Sequence, residues 1–134
     1  MQRSFAASLA VAMLVGLMAA PARAKVVELD ASPNPANVGS NVRHSLALGV
    51  SGRLEVWVSA RGFDRPGMGT LPPGSWVQEC CPSRTAGTPA WHYRSFAIAP
   101  PGSYRFGAAA RMRGTFLSSA AVGSASDSVW IRLL

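Results

Sequence analysis

Between residues 25 and 134, apolar side chains do not recur at helical spacing over any three turns. They alternate with polar ones in short runs separated by clusters of Pro, Gly, Ser and Asn. A period of two puts successive side chains on opposite faces of an extended strand. The pattern predicts strands over 25–31, 41–48, 53–60, 75–81, 91–98, 103–112 and 127–133, and so an all-β domain. Parity then assigns faces. Val42, His44, Leu46 and Leu48 share one side of the second run, and Leu54, Val56 and Val58 one side of the third. In the sixth run Tyr104, Phe106, Ala108, Ala110 and Met112 point inward, and in the last Val129, Ile131 and Leu133 do. Trp57 and Trp130 fall on the outward side of their runs. His44, set among apolar neighbours, reads as a hydrogen-bonded core histidine.

The breaks between runs carry their own expectations. Pro33 and Pro35 cannot donate to a ladder, so the turn from Ser32 to Gly39 is expected to cross between sheets. Gly49-Val50-Ser51-Gly52 reads as a tight hairpin, 61–74 as a long Pro/Gly-rich connection, and the small-residue stretch 114–126 as a mobile loop. Trp76, Trp91 and Tyr93 read as packing.

Residues 1–24 follow a different pattern. Arg3 precedes an apolar run from Phe5 to Ala20, which is shorter than the ~20 residues of a membrane helix, and Ala22-Arg23-Ala24 supplies a small-x-small cleavage site. The chain therefore divides into a cleavable signal peptide helix over 1–24 and one domain over 25–134. It is expected to be secreted or periplasmic, with no membrane insertion after cleavage. A domain of this size buries about 60 to 70 % of its unfolded surface, enough for one core.

Charge changes the picture only modestly. The chain has 13 basic residues and 6 acids, so removing Arg3 and Arg23 with the leader leaves 11 against 6, or +5. Outside the cytoplasm such a balance favours wall polymers, lipopolysaccharide or acidic proteins as partners and argues against nucleic acid. The six acids are scattered, and no paired carboxylates, Ser/His/Asp order or phosphate-cradling glycine loop points to catalysis. No catalytic residue and no cofactor is expected, and the chain does not read as an enzyme.

Phe96-Ala97-Ile98 followed by Pro101-Gly102-Ser103-Tyr104-Arg105-Phe106 resembles the E-to-F passage of immunoglobulin-like and fibronectin type III-like β-sandwiches. In that passage a tyrosine bonds back to the upstream corner. Val27-Glu28-Leu29 with Ser32 to Gly39 is similar to the A-to-B passage of bacterial immunoglobulin-like domains of secreted and surface proteins. The resemblance implies a seven-stranded antiparallel sandwich with Tyr104 as the corner residue. It also implies that strands C, F and G are neighbours, so that Trp57, Arg105 or Arg111, and Trp130 lie side by side on one outer face. Such a tryptophan–arginine array either stiffens the sheet or forms a binding surface. The antibody-type intersheet disulfide is absent, since Phe106 stands where its second cysteine would be.

Cys80 and Cys81 are adjacent. Neighbouring Cα atoms lie ~3.8 Å apart, below the usual disulfide range of roughly 4.4–6.8 Å, so an internal bond would be strained. A vicinal disulfide in a turn, bridges to another chain giving a disulfide-linked dimer, and a redox or metal role all remain open. Counting His44 and His92, the chain has the soft ligands that Zn or Cu accepts, but without the paired spacings of a structural site, so no metal is assigned. The leading expectation is a non-catalytic binding or adhesion module for a protein or polysaccharide. The alternative is a redox-active or metal-handling extracytoplasmic protein using Cys80 and Cys81.

Overall fold

The computed structural model describes residues 25–79 and 88–134. The expected signal peptide and the Cys80-Cys81 pair lie outside the described residues. Eight strands are present among them: β1 (Val27–Ser32), β2 (Asn41–Leu48), β3 (Leu54–Ser59), β4 (Gly74–Glu79), β5 (Ala90–Ser95), β6 (Gly102–Ala109), β7 (Gly114–Val122) and β8 (Ala125–Leu133). They form two antiparallel sheets, one of three strands in the order β1-β2-β6 and one of five in the order β4-β5-β3-β7-β8. The fold is all-β, with the sheets packed face to face.

The core is what strict alternation produces. In β2 every second residue is buried, and Val42, His44, Leu46 and Leu48 face Leu54, Val56 and Val58 from β3 of the other sheet. Phe106 and Ala108 of β6 and Ile131 and Leu133 of β8 complete the layer, with Tyr93, Trp76, Phe63 and half-buried Trp91 filling one flank. Burial pushes the Tyr93 phenol up to about 12, helped by the charge of Tyr104, and its hydroxyl donates to the Pro72 carbonyl. Met112 departs from the expected parity. It lies beyond the end of β6 and is exposed.

His44 is fully buried between the sheets. It stacks on Phe106, with centroids 4.6 Å apart, and meets the edge of Phe63. Its Nδ1 lies 3.2 Å from the Val42 carbonyl and its Nε2 2.9 Å from Ser118 Oγ on β7. A donating Nδ1–H and an accepting Nε2 satisfy both, which makes the ring neutral. Burial lowers its pKa to about 4, against a smaller upward pull from the Val42 carbonyl.

Three expectations about connections are corrected. The stretch expected as a mobile loop over 114–126 is a nine-residue strand, β7, together with the start of β8. It raises the strand number from seven to eight. The turn after Ser32 returns to the same sheet, since β1 pairs with β2; on the way Ala36 forms a parallel bridge to Leu133. Gly49 to Gly52 does not close a hairpin: β2 pairs with β1 and β6 while β3 pairs with β5 and β7, so this is the connection that changes sheets.

Both sides of the sandwich are sealed. On one, Asp127 of β8 reaches across to β1, accepting from the Leu29 amide at 2.8 Å and from Lys25 Nζ at 3.0 Å. Partial burial pushes its carboxyl upward, but these donors and the Ser128 amide together hold it below the ordinary value. On the other side, the connection between β3 and β4 runs along the outer edge of β6. The Asp64, Gly67 and Thr70 amides donate to the carbonyls of Ala109, Gly107 and Arg105, and the Arg111 amide donates to Gly62. An unpaired strand edge is a template for aggregation, and this segment covers one with backbone hydrogen bonds. Asp127→Ala orphans the partly buried Leu29 amide and is expected to cost about 1–2 kcal/mol, read as a lower midpoint in urea denaturation.

Candidate functional site

The outward face of the five-stranded sheet carries the most organised surface. Its register aligns Val77, His92, Trp57, Ser119 and Ser128 in one row across β4, β5, β3, β7 and β8. Trp57 points outward as its parity requires, yet it is only 7 % exposed. The cause is its neighbours. The indole stacks on the His92 ring, with centroids 4.8 Å apart and planes 7° from parallel, and packs with Ala90 and Ala121. Ser119, opposite it on β7, and Ala121 are small and leave room for the indole.

His92 is itself buried. Its Nδ1 lies 2.8 Å from Glu79 Oε2, and its Nε2, which makes no hydrogen bond, lies 3.9 Å from Glu55 Oε2. Arg94 Nη2 lies 3.9 Å from the other Glu79 oxygen. The imidazole is thus oriented by a carboxylate on β4 and clamped by the indole on β3, which fixes the ring plane that supports Trp57.

Beside this stack the face opens into a cleft of about 240 Å³. Trp57 and Trp130 stand on opposite sides of it, with Phe116, Leu117 and Ser119 of β7 between them and Arg61 at the rim. Trp130 pairs in register with Leu117 and is 60 % exposed. A mainly apolar cleft with an indole wall, hydroxyls and one guanidinium can seat a flat apolar ring face or side chain while hydrogen-bonding its polar edge.

Of the residues expected to form the site, the structure brings Trp57 and Trp130 to one cleft, on strands separated by β7. It does not bring Arg105 there. Arg105 is on β6, in the other sheet, where its amide donates to Thr70 Oγ1. Arg111 follows β6 and is engaged with the Ala60 carbonyl at 3.4 Å and with Asp64 at 3.8 Å. The strand between β3 and β8 is β7, not the run containing Tyr104, so the arginines of that run cannot line the tryptophan face. Tyr104 does donate to the Pro100 carbonyl, four residues upstream, although it does so in the three-stranded sheet. Cys80 and Cys81 lie outside the described residues. His44 and His92 are held apart by their separate partners, and among the described residues no group of three His, Cys, Asp or Glu side chains could hold a metal ion. Sequence reasoning missed Phe116 and Leu117, weighed His92 only as a metal ligand, and took Arg61 only as part of a loop that could contact a partner; the Phe116-Leu117 pair inside the small-residue stretch was the available signal.

No protein-family model matches the chain, and comparison with curated proteins found no similar one. Among solved structures the chain is similar to a cohesin module from a family 33 glycoside hydrolase of Clostridium perfringens. The identity is 12 % and the TM-score 0.46, over 82 % of this chain and 98 % of that one. It is also similar to BslA, a bacterial hydrophobin, at 10 % identity and a TM-score of 0.40, over 81 % and 96 % of the two chains.

Proposed function

We propose that the chain is a secreted or periplasmic, immunoglobulin-like binding module that holds a protein or polysaccharide partner without chemistry. The site is the cleft between Trp57 and Trp130. The observation that carries this reading is the exposed indole of Trp130 facing a cleft whose opposite wall, Trp57, is locked in place by His92 and Glu79. Rigid aromatic walls lose little entropy when a partner docks, and tryptophan dominates binding hot spots. The export assignment rests on the pattern of residues 1–24, and a non-catalytic role suits a cleft whose polar groups are hydroxyls and one arginine.

The test compares wild type with Trp130→Ala for retention on a panel of insoluble cell-wall polysaccharides and for capture of proteins from the host's extracytoplasmic fraction. Removing a hot-spot tryptophan costs about 2 kcal/mol or more, so a drop of roughly 30-fold in affinity is expected. The melting temperature should stay within about 2 °C, because the side chain is largely exposed. Equal binding by the variant would remove this cleft as the site.

A further inference from the structure

Four of the exposed large apolar residues share one end of the sandwich: Val26 ahead of β1, Val50 between β2 and β3, and Phe96 and Ile98 between β5 and β6. Phe96 is 67 % and Ile98 58 % exposed. The register places them together. Gly52 and Ala99 exchange backbone hydrogen bonds, and the Gly49 amide donates to the Val26 carbonyl, so the three connections lie side by side. The turn between β7 and β8 closes the same end, with Val122 opposite Leu54. Single exposed apolar residues are ordinary; several on adjoining loops mark an interaction surface.

We infer that this end of the domain docks shallowly onto an anionic phospholipid bilayer, with Phe96 and Ile98 entering the interfacial layer. Two observations choose this occupant. First, the apolar side chains project from separate loops, and none of the three main clefts among the described residues is lined by them, so these clefts offer a partner's side chain no seat at this end. A lipid interface accepts discrete side chains without complementary shape. Second, the connections at this end, 25–26, 49–53, 96–101 and 123–124, carry Lys25 and Arg53, and the carboxylates Glu28 and Asp127 on the adjoining strands face Lys25 and not Arg53. Lys25 already answers Asp127 on β8, while the exposed Arg53 stands next to the Gly52–Ala99 bridge. A chain with a surplus of five positive charges after the leader is drawn to a negative leaflet, and Arg53 sits where it meets the headgroups. Such docking is peripheral: no helix among the described residues is long and apolar enough to cross a membrane.

The full chain, expressed and purified as its host processes it, is floated with vesicles of phosphatidylcholine alone or with about one-third phosphatidylglycerol. Wild type should float only with the anionic vesicles. Phe96→Asp/Ile98→Asp should lower the bound fraction more than tenfold, and Arg53→Glu should lower it several-fold and flatten the dependence on phosphatidylglycerol. Both apolar positions are exposed, so circular dichroism melts of the variants should match wild type. Phe96→Trp keeps an apolar tip and should report insertion as a blue shift in emission that the parent does not show. Undiminished flotation of the Asp variant would overturn the inference. So would failure of wild type to float, or a concentration-dependent dimer abolished by the same substitutions without vesicle binding, which would assign this end to a second copy of the chain. Trp130→Ala should float as wild type does, which separates this outcome from failure of the cleft.

Discussion

Replacing Gly69 with alanine is expected to lower the unfolding free energy by about 3 kcal/mol. Gly69 has φ of +58°, where a Cβ costs roughly 1 kcal/mol. Steric contact costs more: a Cβ at this position would sit 2.0 Å from the Arg105 carbonyl oxygen, and backbone cannot swing aside as a side chain can. Relief requires the segment to lift from β6, loosening the neighbouring Thr70–Arg105 bonds. For a domain of this size the melting temperature should fall by roughly 10 °C or more. Gly67→Ala is the control in the same segment, because nothing lies within 4 Å of its added carbon. Calorimetry of the pair tests the claim, and equal melting temperatures would refute it. The Gly69 variant should also aggregate sooner on heating, since the uncovered edge of β6 can pair with another chain.

Acid should unfold the domain in two stages, the first set by His44. Its pKa in the folded state is about 4, below the unfolded value of about 6.5, so between those values the unfolded chain binds more protons. Stability is complete above pH 6.5 and declines as pH falls toward 4, by about 3 kcal/mol in total. A proton on Nε2 would also destroy the acceptor that Ser118 uses. Asp127 acts in the same sense, in a lower pH window. Its carboxyl is held below the ordinary value, so it stabilises above that value and the contribution is lost as pH falls through its folded pKa, after His44 has charged. Urea midpoints measured from pH 7 to 4 should therefore slope downward for wild type, while the apolar pair His44→Leu/Ser118→Ala should flatten that slope. An unchanged slope would show that His44 does not govern this window.

Much of the fold was legible in β1, β2 and β3, where Val and Leu alternate with polar residues, and in β6, where Tyr104, Phe106 and Ala108 alternate with Arg105 and Gly107. β7 was not. Its inward positions include Ser118, a polar residue that alternation assigns to solvent and that is buried because His44 on the facing sheet needs a donor. Its outward positions Ser119, paired with Trp57, and Ala121, packed against it, are small where the indole needs room. A strand whose every side chain is chosen by a partner elsewhere shows no period of its own. Losing β7 had a consequence for the site, since the run containing Arg105 then took its place beside β3. Trp57 was correctly set on the outer side, but its burial depends on the His92 ring from the next strand, and pairing order cannot be read from local pattern.

Ser118 and Ser119 are consecutive, one bonded to the imidazole between the sheets and the other lining the cleft beside the indole. A single peptide unit therefore joins the protein's interior to the proposed binding cleft. In a library of variants, thermal robustness and partner preference should drift together at these two positions and separately elsewhere. Attempts to reshape the pocket should begin from Leu117 or Arg61, where the interior has less at stake.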